Sequence, residues 1–139
     1  MATTNKGFSA EEKAAIRQAA AERKRQAEGE AGERDLLAAI EGMTEPDKPI
    51  AQGLHALVRR EFPQLASRTW YGYPAYVSDG RMLFYYQLAA KFKTRYGHLG
   101  FHDSAKLDDG PMWPNSYAIL EWNDDVEARV RDLITRALG

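Results

Sequence analysis

From about Arg68 onward, apolar residues stop recurring at helical intervals and begin to alternate, and the alternating runs are parted by short links. This pattern constrains the fold more than any other feature. Strands joined by hairpin-length links pair antiparallel, because a parallel connection needs a crossover of about a dozen residues. Ser78-Asp79-Gly80-Arg81 is the clearest link, since Asp79 and Gly80 tolerate the positive φ that a tight hairpin turn demands. Before it, Arg68 to Val77 reads as a strand interrupted at Gly72 and Pro74, hence an edge or bent strand: proline lacks a ladder donor and glycine often marks a bulge. After it, Arg81 to Leu88 returns with Met82, Phe84, Tyr86 and Leu88 on one face and Leu83, Tyr85 and Gln87 on the other. Tyr96 to Phe101 and Asn115 to Trp122 supply a third and a fourth strand, parted by an irregular stretch from Asp103 to Pro114.

Helical spacing governs the flanks. Ser9 and Glu12 have capping-box spacing, and a helix is predicted from Ser9 to about Glu28. Its only large aliphatic is Ile16, too thin a stripe for firm docking, so the helix is expected to be loosely held or stabilised by a partner. Glu28-Gly29-Glu30-Ala31-Gly32 reads as a flexible link, because interior glycines disfavour a helix. The chain therefore divides into residues 1–32, a charged helix and link, and residues 33–139, an α+β domain. Within the latter, Leu36, Leu37, Ile40 and Met43 mark a short helix from Glu33, and Ile50, Leu54, Leu57 and Val58 mark another that Pro63 stops. A last helix starts near Asp124, with Asp124 and Glu127 at capping-box spacing and Val126, Val130, Leu133, Ile134 and Ala137 on one stripe. The predicted fold is α+β: a mainly antiparallel sheet of four to five strands, helices packed on one face, and an extra N-terminal helix. The opposite face, rich in tyrosine and charge, is the natural place for a ligand or partner.

Composition removes several function classes. The 139 residues carry 19 Lys and Arg against 20 Asp and Glu, a formal net of -1, which gives no global case for nucleic acid or an anionic membrane. No cysteine is present, so disulfides, thiolate metal sites and thiol nucleophiles are excluded. No apolar run approaches the roughly 20 residues of a membrane span, and Met1 to Asn5 lacks a signal pattern, so a cytoplasmic protein is expected.

Two clusters carry the candidate chemistry. Trp70-Tyr71-Gly72-Tyr73-Pro74-Ala75-Tyr76 packs four aromatics into a short run, and rings with a polar end suit sites that are apolar but wet at one edge. Lys91-Phe92-Lys93-Thr94-Arg95-Tyr96, read as extended, sends Lys91, Lys93 and Arg95 to one face, where cations about 7 Å apart suit phosphate or carboxylate. From Arg68 to Lys106 the net charge is +4, and from Leu107 to Asp125 it is -5. The predicted ligand-binding residues are Trp70, Tyr71, Tyr73, Tyr76, Lys91, Phe92, Lys93, Arg95, Tyr96 and Trp113. Asp103, Asp108 and Asp109 are the candidates for a hard cation such as iron, through oxygen ligands. His98 and His102 stand about 13 Å apart in an extended strand, too far to share a metal. His55 falls at the boundary of a packed helix face. No nucleophile elbow and no phosphate-cradling glycine loop occurs, so no catalytic residue is assigned.

Five motifs in order, Trp70 to Tyr76, Ala89 to Tyr96, Leu99-Gly100-Phe101, Leu107 to Gly110 and Met112-Trp113-Pro114, resemble the YdhG-like family of small bacterial domains of unknown function. The resemblance covers about Glu33 to Leu138. It implies an α+β domain with helices on an antiparallel sheet and no established catalytic residues, and some members are called frataxin-like iron chaperones. Three functional expectations follow. The first is a non-enzymatic domain binding a small anionic ligand or protein partner at an aromatic and basic pocket, without nucleic acid or membrane. The second is iron delivery through carboxylates, iron being the one cofactor considered. The third is an interaction module that uses the first helix.

Overall fold

In a computed structural model that describes residues 8–139, the strands β1 (Ala66–Trp70), β2 (Tyr73–Ser78), β3 (Arg81–Gln87), β4 (Gly97–Phe101) and β5 (Ser116–Ile119) form one sheet in chain order. Every neighbouring pair is antiparallel. The helices are α1 (Ala10–Glu41), α2 (Asp47–Glu61), the single turn α3 (Ala89–Phe92) and α4 (Asp124–Leu138). The architecture is α+β, and no helix among the described residues is long and apolar enough to cross a membrane.

The expected interrupted strand is instead a hairpin. Tyr71 and Gly72, at φ 52° and 80°, make a two-residue turn that sets Trp70 directly opposite Tyr73. β1 is the sheet edge, while β2 lies inside it. Pro74 is tolerated there because the β2–β3 ladder begins only at Ala75, paired with Tyr85. The Asp79-Gly80 turn forms as expected, at φ 49° and 78°.

Register sorts the side chains. Tyr76, Phe84, Tyr86, Leu99 and Phe101 share one face and join Leu36, Ile50, Leu54, Leu57 and Ile134 from the helices in the core. Trp70, Tyr73, Ala75, Tyr85 and Gly100 share the other.

No link interrupts α1 at residues 28–32: the helix runs unbroken from Ala10 to Glu41. Gly32 serves close approach and not flexibility, because a Cβ there would overlap the Ser67 carbonyl oxygen of β1. The capping box of Ser9 and Glu12 forms. At α4 the cap lies one residue before the expected Asp124, with Asn123 Oδ1 accepting from the Val126 amide at 2.9 Å. Glu127 is drawn away from a capping role by Arg60 and Arg131, each 3.1 Å from its carboxylate.

The stretch from Lys91 to Tyr96 is not extended. α3 ends at Phe92, and Lys93 closes it in the left-handed region at φ 56°. Lys91, Lys93 and Arg95 therefore do not line one strand face. The turn forms because the buried Asp47 carboxylate, at the start of α2, accepts from the Ala89 and Ala90 amides at 2.7 and 2.9 Å.

Candidate functional site: the aromatic face opposite the helices

The Trp70 ring is the hub of the helix-free face, with centroids of Tyr71, Tyr85, His102 and Tyr73 at 4.9, 5.1, 5.2 and 6.4 Å. The hairpin register explains this meeting: Trp70 and Tyr73 flank the turn, and Tyr85 pairs with Ala75 two residues further along β2. Small residues lie beneath the rings. Ala75 is fully buried, and a Cβ on Gly100 would overlap the Tyr85 ring, so that ring lies flat across β4. α3 then folds its side chains over the hairpin end. Phe92 sits 6.2 Å from Tyr73, and the Lys91 ammonium donates to the Tyr71 carbonyl at 2.7 Å while standing 5.0 Å from the centroid of the Tyr73 ring. That geometry is a cation–π contact with a backbone anchor.

Exposure is graded across the group. Tyr73 is only 6% exposed, whereas Tyr71 and Phe92 present 72% and 50% of their surfaces. Burial, and secondarily Tyr85, pushes the Tyr73 hydroxyl above its ordinary pKa. Lys91, Lys93 and Arg95 have no carboxylate within ion-pair distance among the described residues.

Trp70, Tyr71, Tyr73, Lys91 and Phe92 are thus brought together, and Lys93 follows directly on Phe92. Arg95 and Tyr96 form a second group, the guanidinium 5.0 Å from the Tyr96 ring and Tyr96 edge-on to His98 at 5.3 Å. Trp113 is half-buried and shares a cavity of about 230 Å³ with Phe101, His102 and Asn115. It approaches His102 without joining the Trp70 rings. Tyr76 does not belong to this face. Lying an odd number of residues from Tyr73, it points into the core, is 0% exposed, and sets its hydroxyl 3.0 Å from His55 Nδ1. His55 Nε2 is 3.0 Å from the Glu33 carboxylate, which Arg59 also approaches at 3.3 Å.

Sequence reasoning did not select Tyr85 or His102. Both were findable: once Tyr71-Gly72 is recognised as a turn, register puts Tyr85 on the Trp70 face, and the β4 alternation carries His102 to the same side. His102 Nε2 is buried there without a hydrogen-bond partner. Asp103, Asp108 and Asp109 are exposed, and among the described residues no three His, Asp or Glu side chains gather as a metal-ligand set.

Two larger clefts lie elsewhere. One of about 750 Å³ runs between β5 and α4, past Tyr117, Leu120, Val126 and Arg129; another of about 620 Å³ lies between α1 and β1, past Glu30, Glu33, Arg59 and Ser67. Neither is lined by any residue selected from the sequence as ligand-binding. The β5–α4 cleft is mainly apolar, and its Arg129 and Arg136 stand near Asp125 and Asp132 at 3.9 and 3.8 Å, so its charges are already balanced. The aromatic face instead joins unpaired cations to exposed rings. Compared with protein-family models, with curated proteins and with solved structures, the chain finds no match.

Proposed function

We propose that the chain is a non-enzymatic cytoplasmic binding domain of the YdhG-like kind, whose helix-free aromatic face receives a small anionic ligand or an anionic group of a protein partner. The observation that carries this reading is the placement of Lys91 between the Tyr71 carbonyl and the Tyr73 ring, beside exposed Phe92. This ammonium is already fixed and lies over an aromatic surface of lowered polarity, so an incoming anion meets a charge that needs little ordering. Lys93 and Arg95, both exposed and without carboxylate partners among the described residues, add positive potential at the same end of the sheet.

Thermal unfolding with small carboxylates and phosphates tests the proposal. A ligand present at ten times its dissociation constant contributes roughly 1.4 kcal/mol, a rise in Tm of about 3–6 °C. The expected result is such a rise for the native chain and its loss when Lys91 and Lys93 are both replaced by alanine. An unchanged Tm at 10 mM of every anion, or an equal rise in the double variant, contradicts the reading.

A further inference from the structure

The two hairpin turns are built alike and filled differently. Asp79-Gly80 and Tyr71-Gly72 both place their first residue near φ 50° and their second near φ 80°. Aspartate is a normal occupant of that left-handed position, whereas a bulky aromatic residue there is an outlier. Turn formation alone does not select tyrosine. What the substitution achieves is a phenol ring held 72% exposed, with its carbonyl anchored by the Lys91 ammonium at 2.7 Å. Lys93 is the third left-handed non-glycine residue among the described residues, at φ 56°, and it follows directly on Phe92, whose ring is half exposed. Of the three non-glycine residues with positive φ among the described residues, two therefore serve this one patch. Conformations held against local preference cluster where a surface must present groups in a fixed arrangement.

We infer that Tyr71 and Phe92 together with Lys91 and Lys93 receive a planar ring that bears an anionic group, such as a small aryl phosphate or aryl carboxylate. This rests on the binding reading above and narrows its ligand. The ring is required because Tyr71 and Phe92, each resting on an inner ring of the cluster, Trp70 and Tyr73 respectively, are its most exposed aromatic surfaces, while Tyr73 is buried and Trp70 and Tyr85 are half-buried. The negative charge is required because Asp79 and Asp103 are the only acidic residues between Arg68 and Lys106, and neither pairs with Lys91 or Lys93. A small ligand is required because two exposed rings accommodate one or two planar groups, whereas a single-stranded polymer engages a longer series of stacking positions.

Phenyl phosphate, inorganic phosphate and phenol, titrated separately into the full chain and followed by calorimetry and by amide shifts, test the inference. Phenyl phosphate is expected to bind at least about tenfold more tightly than either fragment. Tyr71→Asn puts a residue suited to the left-handed turn at that position, so it should fold at least as well as the native chain while reducing phenyl phosphate affinity to that of phosphate. Lys93→Ala should weaken phenyl phosphate and phosphate alike. Equal affinity of the native chain for phenyl phosphate and phosphate overturns the ring requirement and leaves the anion reading standing; no response to any anion removes both. Unchanged phenyl phosphate affinity in Tyr71→Asn removes Tyr71 from the site, and tighter binding of a thymidine oligonucleotide than of phenyl phosphate overturns the small-ligand assignment.

Discussion

The Tyr86 hydroxyl donates to the buried Asp47 carboxylate at 2.8 Å, joining β3 to the first residue of α2 across 39 positions of sequence. The same carboxylate accepts the Ala89 and Ala90 amides and so nucleates α3, the turn that carries Lys91 and Phe92 onto the aromatic face. A core polar cluster thereby sets the geometry of a surface on the opposite side of the sheet. Three donors on one carboxylate also satisfy a charge that is expensive to bury alone.

Replacing Asp47 by asparagine keeps the shape but removes the charge and turns one acceptor into a donor facing other donors. Charge-assisted hydrogen bonds contribute about 1.5–3 kcal/mol each and are not additive, so a loss of about 2–4 kcal/mol is expected. Urea denaturation measures it. The amide resonances of Lys91, Phe92 and Lys93 should move with the substitution while those of α4 stay in place.

The glycines of α1 should respond in opposite directions. Nothing lies within contact of a Cβ at Gly29, so Gly29→Ala should stabilise the protein by about 0.5–1 kcal/mol through helix propensity. Gly32→Ala should destabilise it by about 1–3 kcal/mol, because the new methyl meets the Ser67 backbone and pushes α1 off β1. Denaturation midpoints of the two variants, compared with the native chain, decide the matter; a stabilising Gly32→Ala would contradict the close approach.

Alkaline stability should be dominated by two core tyrosines. Burial, with the Asp47 carboxylate second, raises the Tyr86 pKa, and burial, with Glu33 second, raises that of Tyr76. Each folded hydroxyl therefore keeps its proton at pH values where an unfolded tyrosine, with a pKa near 10, releases it. The stabilising contribution is complete below about pH 10 and falls as pH rises above it, by about 1.4 kcal/mol per pH unit for each tyrosine. Urea unfolding between pH 9 and 11.5 should show this slope, and Tyr86→Phe should halve the part due to the pair while lowering stability at neutral pH.

Local periodicity made much of the fold legible. The stripes of α2 and α4, the Asp79-Gly80 turn and the alternation of β3 from Phe84 to Gln87 are properties of neighbouring residues and appear where their spacing places them. A bulge at the start of β3, however, pairs Met82 with Val77 and sends Leu83 into the core, so Met82 does not share the Phe84 face as expected. The errors have long-range causes. Gly32 reads as a helix breaker until β1 is seen beneath it, and Tyr71 conceals a turn because its left-handed backbone is atypical of tyrosine. The segment after Leu88 alternates in sequence, yet Asp47, 42 positions before Ala89, imposes a helical turn. Most of the aromatic group was visible as a cluster, but assigning Tyr76 to it required the turn to be misplaced. The same misplacement hid Tyr85.

Amide chemical-shift mapping of the full chain during titration with phenyl phosphate tests the central claim most directly. Progressive shifts are expected, concentrated at residues 70–73 and 91–95, with α4 and the β5 edge unmoved. Shifts confined to the cleft between β5 and α4, or a spectrum unchanged at 10 mM, would contradict it.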